Sequence, residues 1–241
     1  MHLQIIHLCR QRTDRHIRDA LKELPQGLEK SFERSLNQIE QLPDRPRSQA
    51  KPVLRWVICA ARPLTLEELT EAVAIDEMDE VWDEDRLVND GKSLIDDCAN
   101  LICFRWDWSW HRDGPNTEVQ LVHASVRDFF TNGSGSIRDN LRSYICYPLR
   151  EAHTVLTESF YKYLSLRSGY AWKYDEYGYL IQRENRFAYY VSEFWPHHIR
   201  QADQDFQKQF CSILDSSQTT KKLLLARSVI MVYQFIMNLP V

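Results

Sequence analysis

From Leu3 to Leu42 the apolar residues recur at helical spacing, with two breaks of the kind that punctuate helices. Thr13-Asp14 precedes a start, and Leu24-Pro25-Gln26-Gly27 separates two segments. Ile17, Ala20, Leu21 and Leu24 form one stripe, and Leu28, Phe32, Leu36 and Ile39 the next. The pattern predicts an αα-hairpin. Pro43 to Arg47 follows, and its two prolines and alternating charges cannot continue a helix, so a boundary is expected there.

The next segment opens with a helix carrying Val53, Leu54, Trp56, Val57 and Ile58, which stops at Arg62-Pro63. Thr65 with Glu68 three residues on has the form of a capping box, and Leu64 can staple against Leu69 across it. Leu66, Leu69, Ala72 and Val73 then give the apolar face of a second helix. Ser93 with Asp96 marks a third, ending near Asn100. From Leu101 the period falls from about 3.6 to about 2, which predicts a strand. Ile102, Phe104, Trp106, Trp108 and Trp110 point one way, and Arg105, Asp107, Ser109 and His111 the other. Asp113-Gly114-Pro115-Asn116 supplies a turn, Glu118 to His123 the returning strand, and Ser125 with Asp128 a further helix start. Three helices and a β-hairpin in this order predict a winged helix-turn-helix.

Thr131 to Ser136, with two glycines and three hydroxyl residues, is the best loop and second boundary. Pro148 can open a helix along which Leu149, Ala152, His153, Leu156, Phe160, Tyr163 and Leu164 share a face. Gly169 to Asn185 is aromatic but irregular, and helices fit Phe187 to Gln201, Asp205 to Leu214 and Lys221 to Asn238. The expected fold is mainly α: a winged helix-turn-helix with a small β-hairpin at residues 48–135, flanked by helical segments at 1–47 and 136–241.

Composition agrees with this reading. Seven glycines and nine prolines in 241 residues leave little material for flexible linkers or glycine-cradled phosphate loops. A formal net charge of -4 removes the general attraction to nucleic acid or anionic lipid. Cys9, Cys59, Cys98, Cys103, Cys146 and Cys211 lie scattered in apolar runs without zinc spacing, as expected of reduced core thiols in a cytoplasmic protein. Arg10, Arg12 and Arg15 interrupt the N-terminus before a signal peptide can form. Arg227, Ser228, Gln234 and Asn238 interrupt the most apolar stretch, Leu223 to Leu239, so a buried helix is expected there and no membrane span.

Catalytic motifs are missing: no phosphate loop, no dinucleotide fingerprint, no nucleophile elbow and no zinc-protease pair of histidines. No catalytic or metal site is therefore expected, and the chain is read as no enzyme. The acidic run Asp76 to Asp85 lacks the glycine and the ligand order of a calcium loop and reads as a solvated linker. His197 and His198 are adjacent and diverge by about 100° on a helix. His153 reads as a hydrogen-bonded core histidine. Nucleic-acid binding is the rival function suggested by a winged helix, but the third helix carries Asp90, Asp96 and Asp97 against Lys92. Trp106, Trp108 and Trp110 are taken instead as an interaction face for protein, with exposed apolar surface expected on part of the wing and of the N-terminal hairpin; the alternative is that the tryptophans pack back onto the bundle.

The run LPQGLEKSFERSLNQI, then LRWVICAARPLTLEELTEAVAID, LIDDCANLI and LVHASVRDFF, resembles the post-NACHT region of fungal receptors among the signal-transducing (STAND) NTPases. It is similar to their helical lid followed by the winged helix named after GPI inositol-deacylase. The resemblance implies a regulatory module linking a nucleotide-binding domain to ankyrin or other C-terminal repeats, with ADP or ATP held only when a NACHT domain is present. It implies that the chain is a truncated gene product or a fragment, since it opens near the lid and stops before any repeat. It also implies a role for His123, which stands where plant receptors of this class place the histidine of a Met-His-Asp motif, a donor to the β-phosphate of ADP; the alternative is a buried histidine bonded to backbone at the strand-helix junction. Val122 and Ala124 replace the Met and Asp here. A free-standing interaction module is the alternative.

Overall fold

The computed structural model describes residues 13, 15, 27–75, 78, 80–107, 116–132, 148–167 and 186–216. The first helix of the expected hairpin, the 113–115 turn, the 133–147 and 169–185 stretches and the expected helix at 221–238 lie outside them.

Helix α1, Leu28–Glu40, starts behind Gly27, whose φ of 102° only glycine adopts readily. Phe32, Leu36 and Ile39 are buried, so this half of the hairpin turns its apolar stripe inward rather than exposing it. The reason is a neighbour within the chain: Phe32 packs on Phe129, ring centroids 5.1 Å apart. Helix α2, Asp44–Cys59, follows at once. Pro43 ends the run from α1, but Asp44 to Arg47 form the first turn of α2 instead of a linker. Pro46 is tolerated there because the N–H groups of a first turn need no helical partner.

A two-residue strand, β1, Leu64–Thr65, leads into helix α3, Leu66–Val73. The capping box is present: Thr65 Oγ1 accepts from the Glu68 N–H at 3.2 Å, and the Glu68 carboxylate accepts from the Thr65 N–H at 2.9 Å. A single 3-10 turn, Glu84–Arg86, precedes helix α4, Gly91–Asp96. The cap of α4 is Asp90, whose Oδ1 accepts from the Lys92 N–H at 3.0 Å, and not Ser93, which sits inside the first turn. Ala99 and Asn100 then adopt left-handed φ values of 46° and 63°, reversing the chain into β2, Ile102–Asp107. Asn tolerates that conformation by its short polar side chain.

Strand β3, Asn116–Leu121, runs antiparallel to β2 with Ile102 opposite Leu121 and Trp106 opposite Thr117. The sheet order is β1-β3-β2, with Leu64 opposite Val119. The third strand was not expected from the sequence. Two residues give no period, and β1 exists because β3 offers a free edge where the α2–α3 connection passes. Helix α5, Ala124–Asn132, closes the unit. Helices α6, Leu149–Leu166, α7, Arg186–Gln201, and α8, Gln204–Ser216, form a bundle against it. Trp56 of α2 meets Phe187 of α7 edge-on at 5.3 Å and Phe160 of α6 at 5.6 Å, so one apolar core runs through winged helix and bundle.

Candidate functional site

Two clusters of polar groups lie at the junction between the winged helix and the bundle. Arg62, on the connection from α2 to β1, binds Glu68 of α3 through both Nη atoms, at 2.8 and 2.7 Å. The same guanidinium covers the rings of Tyr190 and Phe194 of α7, at 5.1 and 5.4 Å. Next to it the Ala61 N–H donates to Tyr190 Oη at 2.9 Å. Tyr190 Oη lies 3.0 Å from His198 Nε2, and His198 Nδ1 lies 3.0 Å from His153 Nδ1 of α6. His153 is a hydrogen-bonded core histidine, as its apolar face implied. His197 points out to solvent while His198 is fully buried, the divergence that helical geometry demands.

A second cluster joins α3 to the end of α6. Tyr163 Oη donates to Glu71 Oε2 at 2.6 Å, and Arg167 approaches both, at 3.3 Å from Tyr163 Oη and 3.8 Å from the carboxylate. Burial raises the Glu71 carboxyl, against the Tyr163 bond and the Arg167 and Arg186 charges, which lower it. Arg167 stacks over Trp82 at 4.5 Å, and Trp82 meets Tyr163 edge-on at 5.5 Å. The acidic run is therefore not a plainly solvated linker. Val81 and the residues from Asp83 to Arg86 are exposed, but Trp82 anchors it on the bundle. The exposed large apolar side chains are Met78 and Val81 of that run, with Leu149, among the described residues.

A groove of about 470 Å³ opens between α2, α3, α6 and α8, lined by Trp56 and Arg55 of α2, Val73 of α3, Leu156 and Lys162 of α6, and Phe206 and Phe210 of α8. Cys59 and Cys98 are buried free thiols; burial pushes Cys59 up to about 11 and Cys98 further, so neither is a thiolate near neutral pH. No group of three or more His, Cys, Asp or Glu able to hold a metal ion occurs among the described residues. No helix among them is long and apolar enough to cross a membrane.

His123 follows β3 and immediately precedes α5. Its ring is exposed, and Nδ1 accepts from the Ser125 N–H at 3.1 Å, with Ser125 Oγ at 2.7 Å. His123 thus caps the helix, and Ser125, expected as the cap, is the residue whose N–H is capped. An Nδ1 that accepts a backbone N–H carries no proton, which leaves Nε2 as the ring's donor. Trp106 lies in β2, while Trp108 and Trp110 lie outside the described residues.

Residues 36–140 match the family model of the GPI inositol-deacylase winged helix domain. The match begins within α1 and ends beyond α5, so it takes in the sheet, the capping box and His123. The chain thus contains a winged helix domain. No curated protein and no solved structure matches the chain.

Sequence reasoning missed the junction residues Arg62, Glu71, Trp82, Tyr163 and Tyr190. The available signal was charge on otherwise apolar helix faces: Glu68 and Glu71 stand among Leu69, Ala72 and Val73, where a carboxylate needs a partner.

Proposed function

We propose that this chain is a non-catalytic regulatory module of a NACHT-type signalling NTPase, coupling the nucleotide state of that domain to C-terminal repeats. One observation carries the reading: a winged helix domain, of the kind found after NACHT domains, is joined to a following helical bundle by a continuous core and two polar clusters. Such a joint passes a displacement of the winged helix on to the bundle as one piece, because packed interiors do not deform smoothly. His123 supplies the nucleotide contact of this proposal. The Nε2 donor of its exposed ring suits a phosphate oxygen, in a cytoplasmic protein whose other partners are proteins rather than nucleic acid or membrane.

The rival use of a winged helix has poor support in α4, where Asp90 and Asp96 are exposed beside Lys92 and would be repelled by phosphate. The groove between α2, α3, α6 and α8 favours a second reading, a free-standing interaction module. Co-precipitation with an isolated NACHT domain, loaded with ADP or with a non-hydrolysable ATP analogue, separates the two. Capture that depends on the nucleotide supports the coupling module. Capture of neither form overturns it.

A further inference from the structure

We propose that His153, His198 and Tyr190 form a proton-sensitive latch that releases the bundle from the winged helix on acidification. The proposal deepens the coupling role above by naming how the joint could be opened, and its test is independent of any NACHT domain.

One pattern of protons gives every contact of the relay a donor and an acceptor and also uses the Tyr190 O–H. The Ala61 N–H can only donate, so Tyr190 Oη accepts there, and its own proton is free for His198 Nε2 at 3.0 Å. His198 then carries its proton on Nδ1 and donates it to His153 Nδ1, also at 3.0 Å. His153 keeps its proton on Nε2. Each link of this relay, from the Ala61 N–H through Tyr190 and His198 of α7 to His153 of α6, is thus made by neutral groups.

Each histidine must lose part of this relay to become charged. A proton added to His153 Nδ1 removes the acceptor of His198, and one added to His198 Nε2 turns Tyr190 from donor to acceptor. The surroundings offer the charged rings no compensation. His198 is fully buried and His153 3% exposed. The charges acting on His153 are His197 of α7 and Arg127 of α5, and both oppose protonation. Arg127 and Arg200 act in the same direction on His197. On the Tyr190 side stand Arg62, Glu68, Glu193 and Cys59; Arg62 and Glu68 pair with each other, Glu193 also acts on Arg62, and Cys59 is a neutral thiol.

Burial first, then His197 and Arg127, hold His153 down to about 4, and burial first, then His153 and His197, hold His198 well below its ordinary value. The sign follows. Folded-state values depressed below the ordinary ~6.5 mean that the latch is fully formed above that pH and weakens as pH falls towards about 4. At pH 5.5 each histidine favours the opened joint by about tenfold over neutral pH, and the pair by about a hundredfold.

Hydrogen exchange on the full chain reads this directly, because the Ala61 amide is itself a latch hydrogen bond. After correction for intrinsic exchange, Ala61 protection should fall about a hundredfold from pH 7.5 to 5.5. Buried amides of α2 should hold theirs. The same fall should be absent in H153Q/H198Q. Because that variant could fail to fold, imidazole nitrogen NMR of the unaltered chain gives a second reading: His198 should carry its proton on Nδ1, and neither ring should titrate above pH 5. Rings that titrate near 6.5, Ala61 protection independent of pH, or loss of all amides together would each overturn the latch.

Discussion

Arg62 and Glu68 face each other as a two-pronged pair, at 2.8 and 2.7 Å, with the Glu68 side chain only 1% exposed. That carboxylate has three tasks: it holds the guanidinium, accepts the Thr65 N–H, and so fixes the start of α3. Removing one member of a buried pair leaves the other charge without compensation. Glu68→Ala should therefore cost about 3–5 kcal/mol in urea unfolding, against about 1 kcal/mol for Thr65→Ala, which removes only the cap. Equal losses would mean that the ion pair contributes nothing beyond the cap.

The docking of the acidic run gives a second expectation. Trp82 is held by its ring alone, because its indole Nε1 is buried without an acceptor among the described residues. Trp82→Phe keeps the ring contacts and removes an unsatisfied donor, so stability should change by less than about 1 kcal/mol. Trp82→Ala removes the cation–π and edge contacts, worth together about 1–3 kcal/mol, and should speed proteolytic cleavage between residues 78 and 86. A phenylalanine variant cleaved as fast as the alanine one would show that the ring does not anchor the segment.

Tyr163 carries the companion test. Its hydroxyl donates to Glu71 and accepts from Arg167, so Tyr163→Phe leaves a buried carboxyl short of a donor and should cost about 1–3 kcal/mol in urea unfolding. A variant as stable as the parent would mean that Arg167 and the Phe187 N–H satisfy Glu71 without the hydroxyl.

The fold was legible wherever a period or a cap wrote it locally. The box at Thr65 and Glu68, the alternation through Ile102 and Phe104, and the stripes of α2 and α6 all depend on residues a few positions apart. Caps failed where two candidates were close together. Asp90 displaced Ser93 because an aspartate just outside α4 reaches the Lys92 N–H, whereas Ser93 is already within the helix. Strand β1 and the junction were hidden for another reason. Ala61 and Tyr190 are 129 residues apart, and His153 and His198 are 45 apart, so nothing local announces either contact. Exposed apolar surface was expected on part of the N-terminal hairpin, and nothing local to α1 announced its cover, because Phe129 lies on the far side of the wing in sequence.

That contact sets a further expectation. Phe129→Ala removes a ring 5% exposed that touches both Phe32 and Phe130, and should cost about 3–5 kcal/mol. A double-mutant cycle with Phe32→Ala should return a coupling of about 0.5–1.5 kcal/mol. Additive losses would mean that α1 is held by other contacts.

His123 combines a structural task with a proposed chemical one, and the two can be separated by choice of substitution. Nδ1 caps α5 by accepting the Ser125 N–H, so His123→Ala should cost this chain about 0.5–2 kcal/mol. Serine is a good cap but is too short to present a donor where Nε2 stands. His123→Ser should therefore restore most of the stability lost in His123→Ala. In a full-length relative with an intact phosphate loop, the corresponding serine substitution should still weaken ADP by about tenfold or more, the worth of one charge-assisted hydrogen bond. Parallel isothermal titrations of ADP and of the ATP analogue give the decisive comparison. A loss confined to ADP matches a donor to the terminal phosphate of the resting state. An unchanged ADP affinity in the serine variant would leave His123 as a helix cap and nothing more.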